Sequence, residues 1–205
     1  MKRTRLLSLV VTIALILSLS PFAFADLVYT HPSGTYGYMV PDGWVAVDKH
    51  NIDFLVSAGI MNTAVAGMVN QIEDERLSMI IQQGNDTTVF ADNLNVLTFD
   101  NEYGTPADFV ALYAEQFDEG TVAADPNVVI VAPMQVVPYE NWEVVVFAYN
   151  TLAFNLSPEG LPITYIMVFL FTENIMYQLT FTGKSDNNAT NGSMIDALIE
   201  SFFVK

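Results

Sequence analysis

The chain has 205 residues, no cysteine, 52% hydrophobic residues, and 7 lysines and arginines against 23 aspartates and glutamates, for a formal net charge of −16. That balance excludes nucleic acid as a partner, because phosphate binding needs a basic surface, and it disfavours anionic lipid. The apolar content, with 14 Phe and 9 Tyr, excludes a disordered chain, and the missing cysteine excludes disulfides, thiolate nucleophiles and a lipid-anchored cysteine.

Lys2, Arg3 and Arg5 form a basic start, followed by an apolar run broken only by Ser8, Thr12 and Ser18 and closed by Pro21. Ala23-Phe24-Ala25 is a small-x-small site. This is the pattern of a cleavable secretory signal of bacterial type, with cleavage expected between Ala25 and Asp26. The run is ~15 residues, short of the ~20 a membrane span needs. Residues 26–205 are then expected as one secreted or extracytoplasmic domain, not integral to a membrane after cleavage. They keep four basic residues and all 23 acids, a formal net charge of −19.

Leu27–Thr30 and Tyr36–Val40 read as strands around the turn His31-Pro32-Ser33-Gly34, and Pro41-Asp42-Gly43 turns the chain into Trp44. Asp48 is placed to cap a helix carrying Ile52, Leu55, Val56 and Gly59. Thr63 starts a second helix with Val65, Met68, Val69 and Ile72 at helical spacing. Residues 77–82 read as a strand, 87–91 as its partner, and 93–99 alternate as a further strand. Thr105-Pro106-Ala107-Asp108 is a helix start, an N-cap threonine with proline first and an acid three residues on. Phe109, Leu112, Tyr113 and Phe117 form the expected apolar face of that helix, and Gly120 its expected end. Residues 128–137, 143–154, 161–171 and 175–182 read as long strands, with a hairpin loop at 155–160 and a tight turn at Thr172-Glu173-Asn174. A polar loop at 184–192 precedes a last helix with Ile195, Leu198, Ile199, Phe202 and Phe203 as apolar positions. Hairpin-linked strands with helices between and after them imply an α+β fold: a mainly antiparallel sheet sandwiched between helices.

The chemistry-bearing residues are few. His31 and His50 are the only histidines. A zinc site needs three or four converging ligands, so both read as surface residues. No Gly-x-Ser-x-Gly elbow, phosphate loop or dinucleotide glycine pattern occurs. Acid pairs such as Asp100 with Glu102, or Asp118 with Glu119, are what so acidic a chain produces on its surface. The run from Asp186 looks briefly like a calcium loop, but its glycine comes one position late and Ala197 stands where the bidentate acid belongs. Trp44 and Trp142 read as core or near-core aromatics, and Met61, Met68 and Met79 as gap-filling core residues.

The order of landmarks resembles the PsbP-like superfamily. Tyr36-Gly37-Tyr38-Met39-Val40-Pro41-Asp42-Gly43-Trp44 is similar to that group's early strand, proline turn and tryptophan. Leu94-Asn95-Val96, the helix from Thr105, the hairpin ending Met176-Tyr177-Gln178-Leu179-Thr180-Phe181-Thr182, and Ile199-Glu200-Ser201-Phe202 follow in the same order. The resemblance covers most of residues 26–205. It implies a PsbP-like α/β/α sandwich and an accessory or binding protein in place of an enzyme.

The expectation is therefore an exported, non-catalytic protein with no cofactor and no metal, binding a protein or envelope partner. The helical stretch 48–75 is the candidate partner-binding segment, with Ile52, Leu55, Met61 and Met68 as its contact residues. Two other readings stay open: a hydrolase using paired carboxylates on envelope glycans or peptides, and a weak cation-binding module.

Overall fold

Short apolar alternation on either side of a glycine turn produces the first hairpin. β1 (Leu27–Thr30) and β2 (Tyr36–Val40) pair antiparallel with Tyr29 opposite Tyr38. Gly34 supplies the positive φ, 72°, that the turn requires. The computed structural model describes residues 27–59, 77–82, 92–154 and 157–205. The expected signal segment, the helix expected from Thr63 and the strand expected at 87–91 lie outside them.

The remaining strands are β3 (Trp44–Val47), β4 (Ser78–Gln82), β5 (Asn93–Asp100), β6 (Val129–Pro138), β7 (Glu143–Ala153), β8 (Leu161–Phe171), β9 (Ile175–Lys184) and β10 (Phe203–Val204). The helices are α1 (Ile52–Ser57), α2 (Pro106–Ala124) and α3 (Asn188–Ser201). Among the described residues the strands form a seven-stranded sheet ordered β3-β4-β5-β9-β8-β7-β6 and a three-stranded sheet ordered β1-β2-β10. Every pairing is antiparallel. The α+β class read from the sequence is the one observed.

The large sheet is covered on both faces. On one, Tyr177, Leu179 and Phe181 of β9 and Val168 and Leu170 of β8 meet Tyr36 and Tyr38 of the small sheet and Ile195, Leu198 and Ile199 of α3. On the other, Val145, Phe147, Phe169 and Met176 meet Phe109 of α2. Central strands buried on both faces need consecutive apolar residues, which is why Val168-Phe169-Leu170 are all buried. Each such side chain contributes roughly 1.5–3 kcal/mol. Trp44 and Trp142 are partly buried at the edge of the first cluster. The Trp142 indole N–H donates to the Phe202 carbonyl at 3.2 Å.

The strand β10 was not foreseen. The sequence assigns Phe203 to the last helix, but α3 stops at Ser201 and the chain turns out to pair with β2, Phe203 opposite Gly37. A Cβ on Gly37 would run into the Phe203 ring and the Tyr29 carbonyl. Glycine there is what allows the chain end to lie on the small sheet.

Four further expectations are corrected. Gly120 does not end α2, which continues to Ala124 with Asp125 as C-cap. A helix tolerates an interior glycine for about 1 kcal/mol. Residues 184–192 are not a loop: a 3-10 turn at Ser185–Asn187 leads into α3 at Asn188. Asn191 turns inward there, fitting over Gly183, where a Cβ would sit 3.0 Å from its amide nitrogen. Leu112 is 65% exposed. The buried face of α2 is set by Phe109, Tyr113 and Phe117 together with Val110 and Ala114, rotated away from Leu112. Finally His31 is buried at 7% exposure, stacked on Tyr36 with ring centroids 4.8 Å apart. His50 is exposed.

Candidate functional site

The helix α2 starts as its sequence dictates. Thr105 Oγ1 accepts from the Asp108 amide at 3.2 Å and Asp108 Oδ2 accepts from the Thr105 amide at 3.1 Å, a reciprocal cap. The Thr105 hydroxyl, which donates to Asp108 Oδ2 at 2.7 Å, and then the Thr105 amide hold the Asp108 carboxyl below its ordinary value. The other end of α2 is where a site forms. Gln116, Phe117 and Gly120 of the helix, Asp125 and Val128 after it, Tyr149 and Thr151 of β7, and Tyr165 of β8 line an open groove of about 560 Å³.

Each wall has a local cause. The β7–β8 hairpin register puts Tyr149 opposite Tyr165. Side chains of directly paired residues stand on the same face, and the two rings stack with centroids 5.0 Å apart and planes 17° apart. Thr151 follows Tyr149 by two residues and so shares its face. Phe117 is anchored by edge contacts to Phe147 at 5.7 Å and Phe169 at 6.3 Å. Gly120 leaves the helix side open, since a Cβ there would meet nothing within 4 Å among the described residues.

Asp125 is the charged group of the groove. Its Oδ1 accepts from the Asn127 amide at 2.9 Å and the Asn127 side chain at 3.0 Å, and its Oδ2 accepts from the Thr151 hydroxyl at 2.6 Å. The Thr151 bond, then the Asn127 bonds, hold its carboxyl below its ordinary value. It is a fixed anionic acceptor and ill-suited to donate a proton. Burial first, and then the neighbouring Tyr165 and Asp125, push the Tyr149 phenol up.

The residues singled out in the sequence stand elsewhere. Ile52 and Leu55 are 2% and 7% exposed, packed with Val47 and Ile81 to hold α1 on the sheet. They face inward because α1 is a short helix whose apolar positions fall on the side of β3 and β4. Its exposed apolar residue is Phe54. Met61 and Met68 lie outside the described residues. Among the described residues no three His, Asp or Glu side chains gather as a metal site, and no helix is long and apolar enough to cross a membrane.

The groove residues were missed for two reasons. Tyr149 and Tyr165 sit in apolar strand runs and read as core. Asp125 is one acid among 23. The one signal that could have paired the tyrosines is the hairpin itself, once its register is fixed by the 155–160 loop.

No protein-family model and no curated protein matches the chain. Solved structures do. Cyanobacterial PsbP (CyanoP) from Synechocystis sp. PCC 6803 aligns with a TM-score of 0.54 at 12% identity, over 91% of this chain and 96% of that one. LpqN of Mycobacterium tuberculosis, a protein involved in cell envelope biogenesis, aligns with a TM-score of 0.51 at 12% identity, over 87% and 90%. A protein from Bacteroides thetaiotaomicron VPI-5482 aligns with a TM-score of 0.50 at 13% identity, over 87% of this chain, which spans about half (48%) of that protein's length. At these identities what is shared is the architecture, and the chain has the PsbP-like α+β fold.

Proposed function

We propose that this chain is an exported, non-catalytic binding or accessory protein whose contact site is the groove at the end of α2. The observation that carries the reading is the groove's make-up. Phe117, Tyr149 and Tyr165 offer aromatic surface beside a single hydrogen-bonded carboxylate, Asp125. Aromatic walls with a few placed polar groups are the composition of ligand sites. General acid catalysis needs a carboxyl raised toward the working pH, whereas Asp125 is lowered. The basic start, apolar run and Ala23-Phe24-Ala25 support export. That LpqN, of the same fold, is involved in cell envelope biogenesis fits an extracytoplasmic role.

The test is retention of native envelope components on the immobilised protein, comparing wild type with Tyr165→Ala. A component held by the wild type and lost by the variant, with unchanged circular dichroism, is the expected result. Equal retention by both moves the contact site elsewhere. Turnover of a glycan or peptide library that disappears in Asp125→Asn overturns the non-catalytic reading.

A further inference from the structure

We propose that the groove receives one cationic side chain, a lysine or arginine carried on a basic segment of a protein partner. The inference rests on the groove being the contact site and names the chemistry it takes.

Three sources of negative potential meet there. The last carbonyls of a helix have no partner within it and act as a partial negative charge. The last turn of α2 holds no basic residue to compensate them. Asp125 follows that turn directly as the C-cap. Its donors, the Thr151 hydroxyl and the Asn127 amides, are all neutral, so they fix the carboxylate without cancelling its charge. Phe117, Tyr149 and Tyr165 place three aromatic rings in the lining, and a ring face attracts a cation brought within about 6 Å of its centroid. Among the described residues, none lining the groove is basic.

Size and openness narrow the ligand. A volume of about 560 Å³ is far larger than a metal ion needs and leaves room for a side chain together with the segment that carries it. A bare cation would also want several carboxylates in one sphere, and Asp125 is the one acid among the described residues of the lining. An open groove leaves a small amine largely hydrated, so a cation tethered to a chain gains from contacts beyond it. Leu112, exposed one turn before Gln116 on the same side of α2, offers such a contact. The whole chain, at −16, steers basic partners toward it and repels acidic ones.

The experiment is a backbone amide NMR titration of the purified chain with a capped pentalysine peptide, its fully Nζ-acetylated counterpart, and n-butylamine. Pentalysine is expected to shift resonances of Asp125, Tyr149, Thr151 and Tyr165. Its affinity is expected to fall by about tenfold or more in Asp125→Asn and in Tyr165→Leu. Glu173→Gln removes one acid from the turn between β8 and β9 and is expected to leave affinity unchanged. Equal weakening by Glu173→Gln reduces the binding to general charge attraction and overturns the proposal. Equal binding of the acetylated peptide overturns the cationic specificity while leaving the groove as a contact site. Binding of n-butylamine as tight as pentalysine replaces the protein partner with a small amine. Absence of groove shifts with every probe overturns this proposal, whereas the contact-site reading beneath it falls only if Tyr165→Ala retains the same envelope components as the wild type.

Discussion

The Tyr29 hydroxyl donates to Asp48 Oδ2 at 2.8 Å, joining the small sheet to the turn that opens α1. Asp48 is buried, and its Oδ1 also accepts from the backbone amides of His50 and Asn51 at 2.7 and 3.1 Å. One carboxylate thus organises both the turn and the contact between sheets. Tyr29→Phe leaves a buried carboxylate oxygen without this donor and should cost about 1–3 kcal/mol. Asp48→Ala should cost more, because it frees the two amides as well. Urea denaturation of the two variants checks the ranking.

Alkaline pH should unfold the protein through its tyrosines. Burial pushes the phenols of Tyr29, Tyr36 and Tyr38 well up, and at Tyr29 the Asp48 hydrogen bond adds to it. A group raised on folding keeps its full contribution below its unfolded value, about 10 for tyrosine, and loses it as pH climbs toward the folded one. Denaturant midpoints should therefore hold steady through neutral pH and fall above about pH 10. Tyr38→Phe should flatten that fall, and an unchanged slope would count against the burial argument.

Ser78 and Tyr177 make a contrasting pair. Ser78 Oγ lies 2.9 Å from the Tyr36 hydroxyl and 3.3 Å from that of Tyr38, all three buried. The Tyr177 hydroxyl is buried and has no hydrogen-bond partner among the described residues. Ser78→Ala strands two phenols and should destabilise by about 2 kcal/mol or more. Tyr177→Phe removes a group that gains nothing from folding and should be neutral or stabilising by about 1 kcal/mol. Thermal melts of both variants decide it.

The face of α2 is testable by two truncations. Phe109 is buried against Phe169 at a centroid distance of 4.9 Å. Phe109→Ala should cost about 3–5 kcal/mol. Leu112→Ala, at an exposed position, should stay within about 0.5 kcal/mol. Comparable losses in the two would mean that the helix is rotated from the orientation described.

Processing is the remaining prediction. The small-x-small site at Ala23-Phe24-Ala25 sets the expected mature start at Asp26, directly before β1. Intact-mass measurement of protein recovered outside the cytoplasm should show the loss of residues 1–25. A mass that retains Met1 sets the export reading aside.

Period and punctuation made most of the fold legible. β1, β2 and the hairpin β8–β9 stand where alternation and turn residues placed them, and the cap of α2 forms from the residues that announced it. The helix–loop boundaries at Gly120 and at 184–192 failed for one shared reason. Glycine and polar residues are local signals that a helix can override: an interior glycine costs a helix only about 1 kcal/mol, and within 184–192 the polar Asn191 is turned inward over Gly183. Ile52 and Leu55, two of the four candidate partner residues, are buried for a different reason: apolar spacing says that a face is apolar and says nothing of whether the protein itself covers it, as β3 and β4 do here.

By itself the sequence determined the class of the fold, the reciprocal cap of α2, the acidity that turns away anions and the absence of thiol chemistry. These depend on composition and on neighbours a few residues apart. Tertiary structure alone decided that Tyr149 stacks on Tyr165, that Thr151 reaches Asp125 across 26 residues, and that Phe203 ends the small sheet over Gly37. Each depends on strand register and on which face of a helix meets the sheet. Those are set by the packing of the whole core, so no local pattern in the chain encodes them.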